Sequence, residues 1–157
     1  MKEKAFQDYY ADVASHCYGC GRLNEHGLHI QSYWEGEEAV CVFEPWPQHT
    51  SFPGYVYGGL IAALVDCHSM GTAAAANYRA EGRPMDSEPS LRYVTASLHV
   101  DYLKPTPHTT LTVRGRAKEI KGRKTVVTCS VFANGEECAR GEVVAVRMPE
   151  HWLEEFS

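Results

Sequence analysis

Between Gly58 and Tyr78 the chain reads GGLIAALVDCHSMGTAAAANY, free of proline and packed with Leu, Ala, Ile and Met. Some twenty such residues are too long for a strand and predict one long helix over about 58–78. Its apolar residues fall on most faces: Leu60, Ile61, Leu64, Val65 and Met70, with Ala62, Ala63 and Ala73 to Ala76 between them. A helix of that kind is buried nearly all round rather than laid on a surface, so other elements must wrap it. One carboxylate, Asp66, interrupts the run.

The segments that follow are suited to wrapping. LRYVTASLHVDYLKP, TTLTVRGRAKEI, KTVVTCSVFA and EECARGEVVAVRMP are rich in Val, Thr and Tyr and read as strands. KGRK at 121–124 and NGE at 134–136 carry hairpin chemistry. The sheet is therefore expected to be a largely antiparallel meander. Upstream, Leu28, Ile30, Val40 and Val42 alternate around the EGEE turn and predict a further hairpin. Phe6, Tyr9, Tyr10 and Val13 predict a short amphipathic helix within the first fifteen residues. A strand, a long buried helix and three or four antiparallel strands make an α+β pattern in which one sheet curls around one helix.

At 157 residues, 44% hydrophobic and 22% charged, the chain suits a single domain over 1–157 with a self-sufficient core. A net charge of -5 offers no bulk attraction for nucleic acid or an anionic membrane, so neither is an expected partner. The start MKEKAFQDYYADVASH lacks an apolar signal region, and the reading is cytoplasmic, without membrane insertion. The six cysteines are scattered in mostly apolar contexts, as reduced buried thiols are, and no structural disulfide is expected.

Three motifs carry a family resemblance. PGYVYGGLIAALVDCHSMG, then VTASLHVDYLKPTP, with CYGCGRLNEHGL upstream, together resemble the hotdog-fold acyl-CoA thioesterases, particularly the phenylacetate-pathway (PaaI-like) branch, over roughly residues 16–148. The resemblance implies a curled antiparallel sheet around one central helix, hydrolysis of an acyl-CoA thioester to acid and CoA, no cofactor and no metal. It also implies a homodimer with active sites at the interface, or a pair of such dimers as a homotetramer. A lone protomer would leave a sheet edge bare, which favours the same conclusion.

Elementary chemistry agrees with these roles. A helix starting at Gly58 presents free N–H groups and the positive end of its dipole, which suits an oxyanion hole, with Gly59 beside it. Asp66 is the acid, either nucleophile on the thioester carbon or general base on water. A structural acid capped by backbone or paired with Arg is the competing reading. The resemblance places Thr95 near the acid and a polar residue of the loop QHTS near the thioester, leaving His49, Thr50 and Ser51 unseparated. Tyr57 stands where the family usually has His, so proton handling by an imidazole is missing there, and a non-hydrolytic acyl-CoA or lipid binder is the alternative. Trp46, Tyr55 and Met70 are plausible tunnel liners. Lys104, Arg114, Lys121, Arg123 and Lys124 are cations available to CoA phosphates, with no assignment among them.

Cys17, Cys20, His26 and His29 offer a ligand count for zinc. The gap between Cys20 and His26 is short for a zinc finger, however, and the favoured reading is a turn-rich loop set by Gly19, Gly21 and Gly27 with inward-packed cysteines.

Overall fold

The computed structural model describes residues 3–156. The long helix, α1, runs Gly58–Ala80 and ends as Gly82 takes a left-handed φ of 67° just beyond it. Six strands surround it: β1 (Tyr33–Glu35), β2 (Glu38–Phe43), β3 (Tyr93–Tyr102), β4 (Leu111–Lys121), β5 (Lys124–Ala133) and β6 (Glu136–Arg147). They form one sheet in the order β1-β2-β4-β5-β6-β3, with every pair antiparallel. This is the hotdog arrangement.

The hairpins sit where turn chemistry put them. Gly36 and Gly122 have φ of 60°, and Asn134 and Gly135 have φ of 53° and 77°, the paired positive values a tight Asn-Gly hairpin needs. The meander covers β4 to β6 only. β3 precedes it in sequence but pairs with β6, because α1 and the loop after it deliver the chain to the far side of the sheet.

Side chains alternate along β4 to β6, sending Val113, Val127, Val131, Ala139, Val143 and Ala145 into the core. They meet Leu60, Ile61, Leu64 and Val65, all at most 2% exposed. The contact is tight at Gly141, where a Cβ would lie 2.4 Å from Val65 Cγ1. By length and apolarity α1 could cross a membrane, but 72% of its most apolar stretch is buried within this fold.

Two expectations near the N-terminus are corrected. The amphipathic helix is instead two single 3₁₀ turns, Phe6–Tyr9 and Asp12–Ala14, separated by an extended Tyr10. So short a segment has little helical stability of its own. Tertiary contacts decide: Phe6 N–H donates to Ser32 O at 2.8 Å, the Phe6 ring meets Trp34 edge-on at 5.2 Å, and Tyr10 is buried. The first strand of the upstream hairpin is only Tyr33–Glu35. Leu28 and Ile30 lie in a buried loop, broken by a φ of 54° at His29, and donate to the carbonyls of Tyr18 and Gly19. Met1 and Lys2, part of the start read above, lie outside the described residues.

His68 ties α1 to this region. Its Nε2–H donates to Ala39 O at 3.1 Å, which leaves Nδ1 to accept from Ser32 Oγ at 2.8 Å. Burial pushes this imidazole down from 6.5 to about 4, against a smaller upward pull from the Ala39 carbonyl. A base depressed in the folded state favours unfolding as it protonates, so its contribution is complete above about pH 6.5 and is lost as pH falls toward 4. Unfolding free energies from denaturant titrations should therefore fall more steeply over that window in the parent than in His68→Gln, by on the order of 3 kcal/mol across it. Parallel pH profiles for the two proteins would reject this origin.

Candidate active site

The approach to α1 is extended. Bridges Thr50–Val56 and Tyr55–Pro107 hold the preceding loop, and Tyr57, at φ -73° and ψ 147°, occupies the position before the first helical turn. No side chain caps that turn. Leu60 N–H returns to Tyr57 O at 3.3 Å, whereas the N–H groups of Gly58 and Gly59 have no acceptor among the described residues. Both glycines are exposed, and each is tightly overlain. A Cβ on Gly59 would lie 2.4 Å from the Tyr57 ring, and one on Gly58 would lie 3.3 Å from the Tyr102 ring.

Tyr102 has no role in the sequence reading, although it lies in the VTASLHVDYLKPTP motif, at the end of β3. Its hydroxyl donates to Gly58 O at 2.7 Å, fixing the first peptide of α1. That carbonyl shares its peptide plane with the Gly59 N–H, which is thereby held on the opposite side.

Asp66 is half-buried on α1, two turns on. Thr95 Oγ1 donates to its Oδ1 at 2.5 Å, and no cation pairs with it among the described residues. The Arg-paired structural reading therefore has no partner here. Thr95 reaches Asp66 because β3 carries a bulge between Thr95 and Ser97, a device that re-aims a side chain. Thr95 itself is exposed.

The loop residues separate. His49 is only 5% exposed; its Nδ1 accepts from Trp46 N–H at 2.9 Å, its ring stacks on Trp46 at 4.8 Å, and its carbonyl accepts from Tyr57 N–H. Burial, with the neighbouring His108 second, lowers its pKa. It buttresses Tyr57 from behind. Thr50 and Ser51 turn their hydroxyls to the carbonyls of Pro47 and Val56. Of the suggested liners, Met70 is in the core, Trp46 lies under the loop and Tyr55 is 43% exposed. Lys104 pairs with Glu136, Arg114 with Glu35 and Glu38, and Arg123 with the Arg147 carbonyl.

Gly58 and Asp66 are separated by about 12 Å along the axis at ~1.5 Å per residue. A carbonyl held by the Gly58 N–H would keep its carbon some ångströms short of Asp66 in the same chain. A surface depression of about 550 Å³ is no remedy: Ser97, His99, Asp101, Arg114, Arg140 and Glu142 line it on the sheet face away from α1. Meanwhile β3 is the sheet's last strand, exposed along nearly its whole length, with Val94, Leu98 and Tyr102 between 39% and 52% exposed.

The cysteine-rich loop is turn-rich with Cys20 packed inward, as the favoured reading has it, but Cys17 is exposed. His26 is exposed, and His29 Nε2–H donates to Asn24 O at 2.6 Å. Neither approaches Cys17 and Cys20 as a ligand; Cys67 of α1 does.

Comparison with known proteins bears on the family and the fold. Acyl-coenzyme A thioesterase THEM4 of Xenopus laevis is 30% identical over 108 residues, covering 68% of this chain and 43% of its own length. The rat protein of the same name is 31% identical, with 68% and 41% covered. The chain thus spans about two fifths of these relatives. A thioesterase superfamily protein from Shewanella loihica, 45% identical, superposes with a TM-score of 0.67 over 89% of this chain and 100% of that one. The PaaI protein of the E. coli phenylacetic acid degradation operon shares the fold at 16% identity, with a TM-score of 0.62 over 78% and 81%. With residues 53–139 matching the family model itself, the chain belongs to the thioesterase superfamily.

Proposed function

We propose that this protein hydrolyses acyl-CoA thioesters to the free acid and CoA, at a site shared between two copies of the chain. The observation that carries the reading is a carboxylate with no cation partner among the described residues, Asp66, oriented by Thr95 from a bulged and exposed edge strand. The uncapped start of α1 supplies the complement, donors for the oxygen that becomes negative as the thioester carbonyl is attacked. The family, and relatives named acyl-coenzyme A thioesterase, support the same chemistry.

Pairing of two copies along β3 resolves the spacing. It covers Val94, Leu98 and Tyr102, removes a bare sheet edge, and brings Gly58 of one copy toward Asp66 of the other. Gly58 N–H then polarises the carbonyl, Thr95 orients the carboxylate, and Asp66 attacks the carbon or deprotonates a water that does. The free thiols of the chain suit a reducing compartment such as the cytoplasm.

The direct test is CoA release from short, medium, long and aromatic acyl-CoAs, with Asp66→Asn in parallel. Turnover lost in the variant supports the reading; binding without turnover in the parent overturns it and leaves a non-hydrolytic acyl-CoA binder. For the assembly, light scattering should give a dimer or a multiple of it for the parent. Leu98→Asp should give a monomer whose activity is down by about 100-fold or more, because each chain then holds half a site. An active Leu98→Asp monomer would remove the shared site.

A further inference from the structure

The loop at 17–21 brings three sulfurs together. Cys17, Cys20 and Cys67 place their sulfur atoms within 4.8 Å of one another, with Cys17 Sγ and Cys67 Sγ 3.9 Å apart. Sulfurs on one tetrahedral zinc lie about 3.8 Å apart, given Zn–S near 2.3 Å. The backbone is shaped around this approach. A Cβ on Gly19 would lie 2.3 Å from Cys67 Sγ, and one on Gly21 would lie 2.5 Å from both Cys17 N and Ser15 O.

The surroundings point the same way. Tyr10 is 7% exposed, yet its hydroxyl has no hydrogen-bond partner among the described residues. The Arg92 guanidinium lies 4.2 Å over the Tyr10 ring with Nη1 buried and unpartnered, and no carboxylate pairs with it among the described residues. A cation so placed needs a negative neighbour. Three thiolates, one divalent cation and Arg92 sum to zero charge. Thiolate sulfur selects a thiophilic metal over magnesium or calcium.

We propose that Cys17, Cys20 and Cys67 form a three-thiolate zinc site, with water in the fourth position on the side where Cys17 is exposed. The metal clamps the loop at 17–21 onto α1, one residue from Asp66. This assignment is independent of the hydrolytic reading, since it concerns metal content and stability.

The test uses untagged full-length protein, reduced anaerobically with a non-thiol reductant. Zinc titration should saturate at about one equivalent per chain, and cobalt substitution should give the intense near-ultraviolet charge-transfer band of thiolate ligation. A chelator should then lower the melting temperature of the parent. Cys17→Ser, at an exposed position that tolerates change, should bind zinc at least tenfold more weakly and lose the chelator effect; Cys67→Ser should do the same. Cys138→Ser and His26→Ala should bind as the parent does. Absence of stoichiometric zinc binding by the reduced parent, or unchanged binding in Cys17→Ser, would overturn the assignment.

Discussion

Asp66→Asn should lower kcat on the best acyl-CoA by about 10²–10³-fold while leaving KM within a few-fold, since acid–base or nucleophilic assistance contributes on that scale. The substitution keeps the size of the side chain, and an amide oxygen still accepts from Thr95 Oγ1, so the bulged strand and α1 should keep their places. What disappears is the charge that attacks or takes a proton. Circular dichroism and melting temperature close to the parent's would show that the loss is chemical. A single turnover in ¹⁸O-water then tests for the covalent route: label entering the Asp66 carboxylate marks an acyl-enzyme anhydride opened at the Asp66 carbon, whereas label confined to the product acid marks attack of water at the acyl carbon. Retention of parental kcat would remove Asp66 from the mechanism.

The shared site makes a second large effect, in which two dead proteins restore each other. Gly58→Pro deletes the one N–H proposed to hold the oxyanion. Proline is well tolerated at the first helical position, and Tyr57 before it already has the extended backbone that proline demands. Alone, Gly58→Pro should cost about 10²–10³-fold in kcat, the usual loss for one oxyanion donor. Unfolded together with Asp66→Asn at equal amounts and refolded, the mixture should regain about one quarter of parental activity, because half the dimers are mixed and each carries one intact site of two. A mixture as inactive as its components would mean that Gly58 and Asp66 of the same chain serve one site.

Much of this molecule was legible in the order of its residues. The length and apolar breadth of GGLIAALVDCHSMGTAAAANY specify a helix that must be wrapped, and the alternating Val-rich segments with glycine at their turns specify the meander that wraps it. Those signals are local: periodicity and turn chemistry act within a few residues of themselves. The site roles of Gly58, Asp66 and Thr95 rest instead on the resemblance of their motifs to the family's, not on these local signals.

Contacts between distant segments were decided only by the tertiary structure. Nothing local tells β3 to pair with β6 rather than β4, or Tyr102 to reach back to Gly58 O. Nor could spacing reveal that the third sulfur beside Cys17 and Cys20 comes from Cys67 rather than from the nearer His26 or His29. The N-terminal segment, helical by its pattern, gave way to 3₁₀ turns because its few local hydrogen bonds are worth less than anchoring Phe6 and Tyr10 in the core. Sequence thus determined the elements, whose energies are short-range, and packing determined which side chains meet, because burial rewards contacts irrespective of their separation along the chain.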